Sequence, residues 1–294
     1  MPKRLHGETR PKSPQKSFRG FVGIFVLLAV LFAAWVVWFG FVQSHWHTGW
    51  ARSVVRVMPI PVASVEGEVI WYRDVSELAN GYESLRELDA YSGFSLAVAE
   101  LVKMKHAEHL AEELDVSVST ASDRSDEDLE DLLKATGWTP EQYQQYVTEP
   151  QRLAIEVESA VYAYAEYQEA ALAEIEELAR QVDSGVPFQD VASADSDHLS
   201  SEYGGDLGEV ELTDLDPGLE SIFDLEEGEV SEILETETYF AIVLVKEAFD
   251  GDDEEEAAVS AWMITVDKTG LAYALEEFAT KQSVRIFLPG IVLE

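Results

Sequence analysis

The chain has 294 residues, enough for two modest domains and an accessory segment, and it contains no cysteine. Disulfides, thiolate metal sites and a cysteine nucleophile are therefore excluded. Its 57 Asp and Glu residues against 20 Lys and Arg residues give a surface that repels nucleic acid and anionic lipid headgroups, so we expect no nucleic-acid partner.

The first predicted element along the chain is a membrane anchor. Residues 20–42 carry no charged side chain, and a helix of that length crosses a hydrocarbon layer of about 30 Å. The basic tail before it, residues 1–19, has six Lys and Arg residues against one Glu, a bias that keeps the tail in the cytoplasm. A cleaved signal peptide is the alternative, but the apolar run is long for one and no small-x-small cleavage site follows. We predict a single-pass protein of the cell membrane, with the bulk of the chain extracytoplasmic.

An interfacial linker, residues 43–61, leads into a strongly acidic ectodomain. From Val57 onward the chain carries 12 Lys and Arg residues against 56 Asp and Glu residues, a formal charge of −44. Because the acids are spread along the chain, their pattern favours solubility or adaptation to high salt over a single binding patch. A cationic client is the alternative that this charge leaves open.

Local patterns predict a helical domain over residues 62–168. A strand, a turn at Gly67 and a second strand are predicted for Val62–Ile70. Four helices follow, at about Asp74–Leu88, Ser92–Glu113, Ser125–Thr136 and Thr139–Val147. The last of them begins with a capping box formed by Thr139 and Gln142.

One long helix is predicted for Pro150–Val182. Its apolar residues follow the three- and four-residue spacing of a core-facing stripe, interrupted at Gln168. The stripe lasts about three heptads, which is short for a coiled-coil seam. We place a domain boundary at Gln168, because the apolar stripe is interrupted there.

Glycines concentrate in Gly204–Gly208, which reads Gly-Gly-Asp-Leu-Gly. Glycines this dense mark backbone with positive φ or a close approach to another segment. The pair Ser196–Asp197 precedes them, and the segment Gly228–Ser231, Gly-Glu-Val-Ser, follows. Between and beyond these motifs we predict an apolar helix over Leu219–Leu225 and an alternating strand over Thr238–Val245.

This order of motifs resembles the parvulin family of peptidyl-prolyl isomerases over roughly residues 170 to 248. The resemblance implies an α+β domain at residues 169–248, with helices around a four-stranded sheet. Several linked motifs carry it, so it is more specific than a lone glycine pair.

The N-terminal section carries a second resemblance. Pro61–Gly67, leading into several helices, is similar to the chaperone domain of SurA-type and PrsA-type exported foldases, which build a helical domain from the chain before their parvulin unit. The resemblance implies that residues 62–168 form such a domain. It also implies that the partners are unfolded or newly exported polypeptides with X-Pro bonds.

The C-terminal section begins with an acidic segment, residues 249–258. A calcium loop is the sharper hypothesis, but the alternating oxygen ligands and the closing Glu of an EF-hand are missing, so a solvated linker is favoured. Beyond it, a strand, a helix and a second strand are predicted at Val259–Val266, Gly270–Thr280 and Ser283–Leu288.

Parvulins begin with a strand of pattern Ala-Arg-His-Ile-Leu-Val just before their first helix, and here that position is filled by the long helix. Val259–Val266 has the shape of the missing strand. We hypothesise a circular permutation in which residues 259–294 complete the parvulin sheet, since the termini of compact domains often lie close together. An accessory strand pair outside the sheet is the alternative.

The parvulin resemblance implies two facing histidines, a Cys or Asp between them, a hydroxyl group and apolar side chains around the proline ring. The family motif Thr-x-Ser-Gly-x-His is here Thr236–Ala241, so Thr238 keeps the hydroxyl as a candidate catalytic residue and Ala241 replaces one histidine. The other histidine position falls at Trp262, either a packed sheet aromatic or a platform for proline. His198 stands at the Cys or Asp position as the second candidate catalytic residue.

Two readings of His198 stay open: it takes a polar role in catalysis, or it is an exposed loop histidine. The sequence offers no titratable partner for it. Leu215, Leu219 and Phe223 are, with Trp262, the substrate-binding residues that the resemblance implies.

The remaining histidines predict no metal site. His106 and His109 lie three apart on a predicted helix, a spacing that suits a metal, but no third ligand has the required arrangement. We expect neither a metal nor a cofactor.

Three hypotheses follow for the function. The first is a membrane-anchored folding factor that acts as a peptidyl-prolyl cis-trans isomerase on exported polypeptides. The second is a catalytically degenerate parvulin fold that serves as a chaperone or binding module. The third is a structural anchor of the envelope.

Overall fold

The computed structural model describes residues 27–36, 39–40, 59–86, 88–117, 129–249 and 258–291, and their fold is α+β, as the sequence predicts. The chain divides into two compact units. The first comprises residues up to Ser64, Glu68–Ala99 and the residues from Val284 onward. The second comprises Val65–Gly67 and Glu100–Ser283.

Several predicted segments lie outside the described residues. These are the basic tail, most of the predicted membrane span, the linker up to residue 58 and acidic residues 250–257. Residues 27–36, within that span, are helical. No helix in the described ranges is both long enough and apolar enough to cross a membrane.

The first unit contains a three-stranded sheet in the order β2-β1-β7, formed by β1 (Pro61–Val65), β2 (Glu68–Trp71) and β7 (Val284–Ile286). Glu66 and Gly67, with φ of 48° and 91°, form the tight turn between β1 and β2. The last strand was expected in the parvulin sheet, but it lies here instead, where the backbone N–H of Phe287 donates to the carbonyl oxygen of Val62 at 2.8 Å.

Helices α1 to α4 follow the predicted segments closely. Their bounds are Tyr72–Arg86, Ala90–Glu113, Leu129–Thr136 and Pro140–Tyr143, the last continuing as a π-helical turn over Gln144–Thr148. The capping box is confirmed: Gln142 N–H donates to Thr139 Oγ1 at 3.2 Å, and Thr139 N–H donates to Gln142 Oε1 at 3.0 Å.

The single long helix was a wrong prediction. The structure has two helices, α5 (Glu149–Ala163) and α6 (Ala165–Asp183), separated at Tyr164, whose φ of −87° and ψ of 108° are extended. Two further helices of the second unit are α7 (Phe188–Asp195) and α8 (Leu271–Lys281). Residue Gln168, which interrupts the apolar stripe, is buried within α6.

The second unit contains a four-stranded sheet in the order β3-β6-β5-β4. Its strands are β3 (Asp206–Glu211), β4 (Leu234–Glu235), β5 (Tyr239–Phe249) and β6 (Ala258–Asp267). β6 pairs antiparallel with both β3 and β5. The strand predicted at Val259–Val266 therefore occupies an interior position of this sheet.

The two faces of this sheet carry separate apolar clusters because successive side chains of a strand point to opposite faces. On the face that we call the helix face, the sheet packs on α6 and α7 through Phe240, Ile242, Ile264, Val266, Ile175, Leu178, Phe188 and Val191. On the opposite face, the loop face, the sheet packs on a loop segment through Ala241, Val243, Val245, Val259, Ala261, Met263, Leu219 and Ile222.

Candidate functional site

The glycine-rich turn is locked against the interior strand of the sheet. Gly204 and Gly205 have φ of 71° and 82°. A Cβ on Gly205 would lie 2.6 Å from the carbonyl oxygen of Met263 and 2.9 Å from the Cβ of Ala192. Since the Met263 N–H also donates to the Gly205 carbonyl oxygen at 2.9 Å, only glycine permits this backbone approach.

The Ser-Asp pair is fixed to the C-terminal end of β6. Ser196 Oγ accepts from the Thr265 N–H at 3.0 Å, and the Asp197 N–H donates to the Thr265 carbonyl oxygen at 3.0 Å. The Asp197 carboxylate accepts from the Asp267 N–H at 2.9 Å. These bonds determine where the next residue, His198, lies.

His198 caps a short 3-10 helix, Leu199–Tyr203. Its Nδ1 accepts from the Ser200 N–H at 3.1 Å and lies 2.8 Å from Ser200 Oγ. Partial burial lowers the pKa of His198 below its ordinary value, and the carboxylates of Asp216 and Asp267 oppose this shift without reversing it. The sequence offers no titratable partner for this histidine, whereas the structure places two carboxylates close to it.

Asp216 and Tyr239 form a hydrogen-bonded pair that sequence reasoning missed. The Tyr239 hydroxyl donates to Asp216 Oδ2 at 2.6 Å. Burial raises the pKa of Tyr239, and its bond to Asp216 raises it further, so the hydroxyl stays protonated. Tyr239 also lies opposite Asp267 in the β5–β6 register. One signal was present: Tyr239 stands where the family motif has glycine.

Together these four residues form what we call the polar cluster, made of His198, Asp216, Tyr239 and Asp267. Burial raises the pKa of Asp267, the neighbouring Asp197 carboxylate raises it further, and His198 lowers it. The cluster contains a histidine, a phenol and two carboxyl groups, which supply both hydrogen-bond donors and acceptors.

The implied proline-pocket residues share one apolar cluster on the loop face. Leu215 and Phe223 are half-buried and pack against the loop-face cluster, which contains Ala241 and Met263. Leu219 is only 2% exposed, so it belongs to the core beneath the loop and presents little surface to a ligand. The ring of Tyr239 packs against this same cluster, which joins the polar cluster to the apolar surface.

Trp262 lies on the other face of the sheet and does not join this group. It packs against the helix-face cluster, and Lys246 Nζ lies 4.9 Å from its ring centroid. The residue opposite Ala241 in the register is Thr265. Trp262 therefore does not face Ala241, because it is an odd number of residues from Thr265 and such an offset moves a side chain to the opposite face.

Thr238 is exposed at the turn before β5, and the structure shows no contact between it and His198 within the described residues. Its carbonyl oxygen accepts from the Lys268 N–H at 2.8 Å. The buried ammonium of Lys268 donates to Glu235 Oε1 and to the Thr236 carbonyl oxygen, each at 2.8 Å. The catalytic roles of Thr238 and His198 stay predictions.

The paired histidines of α2 differ in their surroundings. His106 is buried, and its Nε2 has no hydrogen-bond partner. His109 Nδ1 lies 3.4 Å from Gln282 Oε1. In the part of the chain that the structure describes, no group of three or more His, Cys, Asp or Glu side chains is arranged to hold a metal ion.

Comparison with known proteins identifies one domain. Residues 153–247 match the family model of the PPIC-type PPIase domain, or rotamase. The match runs from α5 to β5 and covers roughly a third of the chain, so the chain contains a PPIC-type PPIase domain, the domain of the parvulins. No curated protein matches the chain.

Proposed function

We propose that this chain, through its PPIC-type PPIase domain, accelerates the cis–trans isomerisation of X-Pro bonds in unfolded or newly exported polypeptides. In this proposal it is an extracytoplasmic folding factor held in the membrane by its N-terminal segment. The observation that carries the activity is the family match over residues 153–247. The apolar loop face beside the polar cluster supports it, since proline recognition needs both kinds of surface.

The reaction requires no covalent bond between the protein and its substrate. Rotation about the X-Pro bond has a barrier of about 18–20 kcal/mol, and its transition state is a twisted amide without resonance. A site accelerates the rotation by binding the twisted amide more tightly than the planar one. Leu215 and Phe223, half-buried at the margin of the loop-face cluster, would hold the proline ring.

The polar cluster would act on the twisted amide itself. Because Nδ1 of His198 accepts the Ser200 N–H, we assign the proton of the neutral ring to Nε2, which can donate to the substrate carbonyl oxygen. The Asp216–Tyr239 pair would position the loop that carries Leu215. Thr238 would supply a second hydroxyl from the adjacent turn.

We further propose that the PPIase domain is circularly permuted. The family match ends at residue 247, before β6 begins at Ala258. β6 nevertheless lies between β3 and β5, the strands that come from the matched segment. In this proposal β6 takes the place of the strand that ordinarily begins the domain.

A specific observation also favours the second hypothesis, a binding module without catalysis. Ala241 replaces one family histidine, and its cross-strand partner is Thr265, so neither position provides an imidazole. Such a domain would bind unfolded polypeptides through the loop face, together with the proposed SurA-like helical domain.

A peptide isomerisation assay on the purified full chain separates the two hypotheses. We expect exchange of an X-Pro peptide to be faster than in buffer, and His198→Ala to reduce the rate about tenfold, the equivalent of one hydrogen bond. His109→Ala, away from the polar cluster, is the matched control. Exchange at the buffer rate would exclude the isomerase, and suppressed aggregation of an unfolded client would then support the chaperone.

A further inference from the structure

An open groove lies between α5 and the turn that leads into β5. Its apolar and neutral lining comes from Ile155, Ser159, Tyr162 and Thr238. Its acidic lining comes from Glu156, Glu158 and Glu237. The volume is about 420 Å³, within the range of sites that bind ligands.

The groove offers an exposed apolar side chain beside an aromatic ring. Ile155 is 67% exposed at the surface of α5. Tyr162 is half-buried, and burial raises the pKa of its hydroxyl, with Glu158 and Asp267 adding to the effect. The hydroxyl therefore stays protonated and hydrogen-bonded to Glu158, next to a surface that can accept an apolar side chain.

The charge of the groove has one sign. Three carboxylates line it, and none of the described lining residues is basic. Asp267 acts on Tyr162 and on His198 alike, so the negative potential of the groove continues into the polar cluster. A cationic ligand is attracted to such a surface, and an acidic one is repelled.

The groove is also continuous with the candidate site along the chain. Thr238 lines the groove, and the next residue, Tyr239, bonds Asp216 in the polar cluster. The groove therefore begins one residue along the chain from the polar cluster.

We propose that this groove binds a polypeptide segment in which Lys or Arg adjoins an apolar side chain. The apolar side chain contacts Ile155 and Tyr162, and the cationic groups lie against the three carboxylates. Selection of X-Pro bonds flanked by basic residues rests on the proposed function, whereas binding of the basic segment does not.

The test measures binding of labelled peptides to the full chain in non-ionic detergent, by fluorescence anisotropy. One peptide carries Lys and Leu beside Ala-Pro, and its partner carries Glu in place of each Lys. We expect the basic peptide to bind at least tenfold more tightly than the acidic one at low salt. The difference should shrink as salt screens the carboxylates.

Neutralised variants locate the interaction. Replacing Glu156, Glu158 and Glu237 with Gln should weaken binding of the basic peptide at least tenfold. The matched control makes the same charge change on exposed residues of α6, with Glu169, Glu174 and Glu176 replaced by Gln, and should change binding less than twofold. Equal losses in both variants would mean a general charge effect and would overturn the proposal.

A second pair of variants keeps the test independent of charge and of folding. Ile155→Ser, at an exposed position, should weaken the basic peptide about threefold, and Leu172→Ser, exposed on α6, should not. Unchanged binding in Ile155→Ser would also overturn the proposal. Isomerisation of an uncharged X-Pro peptide by the unaltered chain decides the proposed function separately. If the chain binds basic peptides but does not catalyse isomerisation, the groove proposal stands and the isomerase proposal fails. If it catalyses isomerisation but shows no preference for basic peptides, only the groove proposal fails.

Discussion

Gln168 and Thr269 are joined by two hydrogen bonds: the Thr269 N–H donates to Gln168 Oε1 at 2.7 Å, and Gln168 Nε2 donates to the Thr269 carbonyl oxygen at 3.2 Å. The same Nε2 donates to the Val161 carbonyl oxygen at 2.9 Å. Gln168 is only 4% exposed. Its amide thus binds the end of α5 to the loop between β6 and α8.

Replacing this amide should destabilise the second unit. Gln168→Leu leaves the Thr269 N–H and the Thr269 carbonyl oxygen without their partners, whereas the Val161 carbonyl oxygen still accepts from the Tyr164 N–H. We therefore expect the free energy of unfolding to fall by about 2–3 kcal/mol. Urea denaturation measures the change. Gln151→Leu, at an exposed position of α5, is the control and should stay within about 0.5 kcal/mol. If Gln168→Leu lost as little free energy of unfolding as this control, the proposed bridging role of the Gln168 amide would be contradicted.

Two glycines of the same motif should respond differently to alanine. Gly208→Ala places a side chain in open space at a φ of 72°, which costs about 1–2 kcal/mol. Gly205→Ala carries the same backbone cost and also forces a Cβ against the Met263 carbonyl oxygen, adding about 1–3 kcal/mol of overpacking. Thermal or urea unfolding of both variants tests the difference. Equal losses would mean that the strand moves away freely.

The Asp216–Tyr239 pair should affect isomerisation. Tyr239→Phe keeps the ring in the loop-face cluster and removes the donor to Asp216, so the loop carrying Leu215 loses an anchor. We expect the rate on an X-Pro peptide to fall about threefold to tenfold, the equivalent of one hydrogen bond. Tyr273→Phe, exposed on α8, controls for the loss of a phenol. An unchanged rate in Tyr239→Phe would place the pair outside the site.

Buried His106 should make stability depend on pH. Burial lowers the pKa of His106 from 6.5, and nearby His109 lowers it further. A folded pKa below the unfolded value means that the neutral ring contributes stability above about pH 6.5, and that this contribution is lost as the pH falls towards the folded pKa. His106→Leu removes the titration. As the pH is lowered from 7.5 to 5.5, the free energy of unfolding of the variant, measured by urea titration, should rise relative to that of the parent. The same pH dependence in both proteins would contradict this role of His106.

Elements with a local signal were predictable from sequence. The capping box of Thr139 and Gln142 and the strand predicted at Thr238–Val245 both lie within short segments. The capping box is confirmed, and a strand is present there, running over Tyr239–Phe249. The break at Tyr164 has no such signal, because neither glycine nor proline marks it. Next to this break, Gln168 bonds to Thr269, a partner 101 residues away. Local periodicity holds no information about such a contact.

The face of β6 was unpredictable for a different reason. The strand is buried on both sides, so seven of its ten residues are apolar and the alternation that distinguishes two faces is lost. No pattern in the sequence therefore indicated that Trp262 lies on the helix face. The polar cluster was predictable in part: the motif identified His198, but Asp216 lies 23 residues from Tyr239 in a loop that no pattern orients.

The interior position of β6 has a consequence for synthesis on the ribosome. Asp206 pairs with Trp262, and more than fifty residues separate the two in the chain. β3 is therefore synthesised well before the strand with which it pairs. During that interval β3 and β5 each present a free edge of backbone N–H and C=O groups, the kind of edge that pairs with other chains. The sheet is complete only after β6 has been translated. We therefore expect a newly synthesised chain to be prone to aggregation until that point.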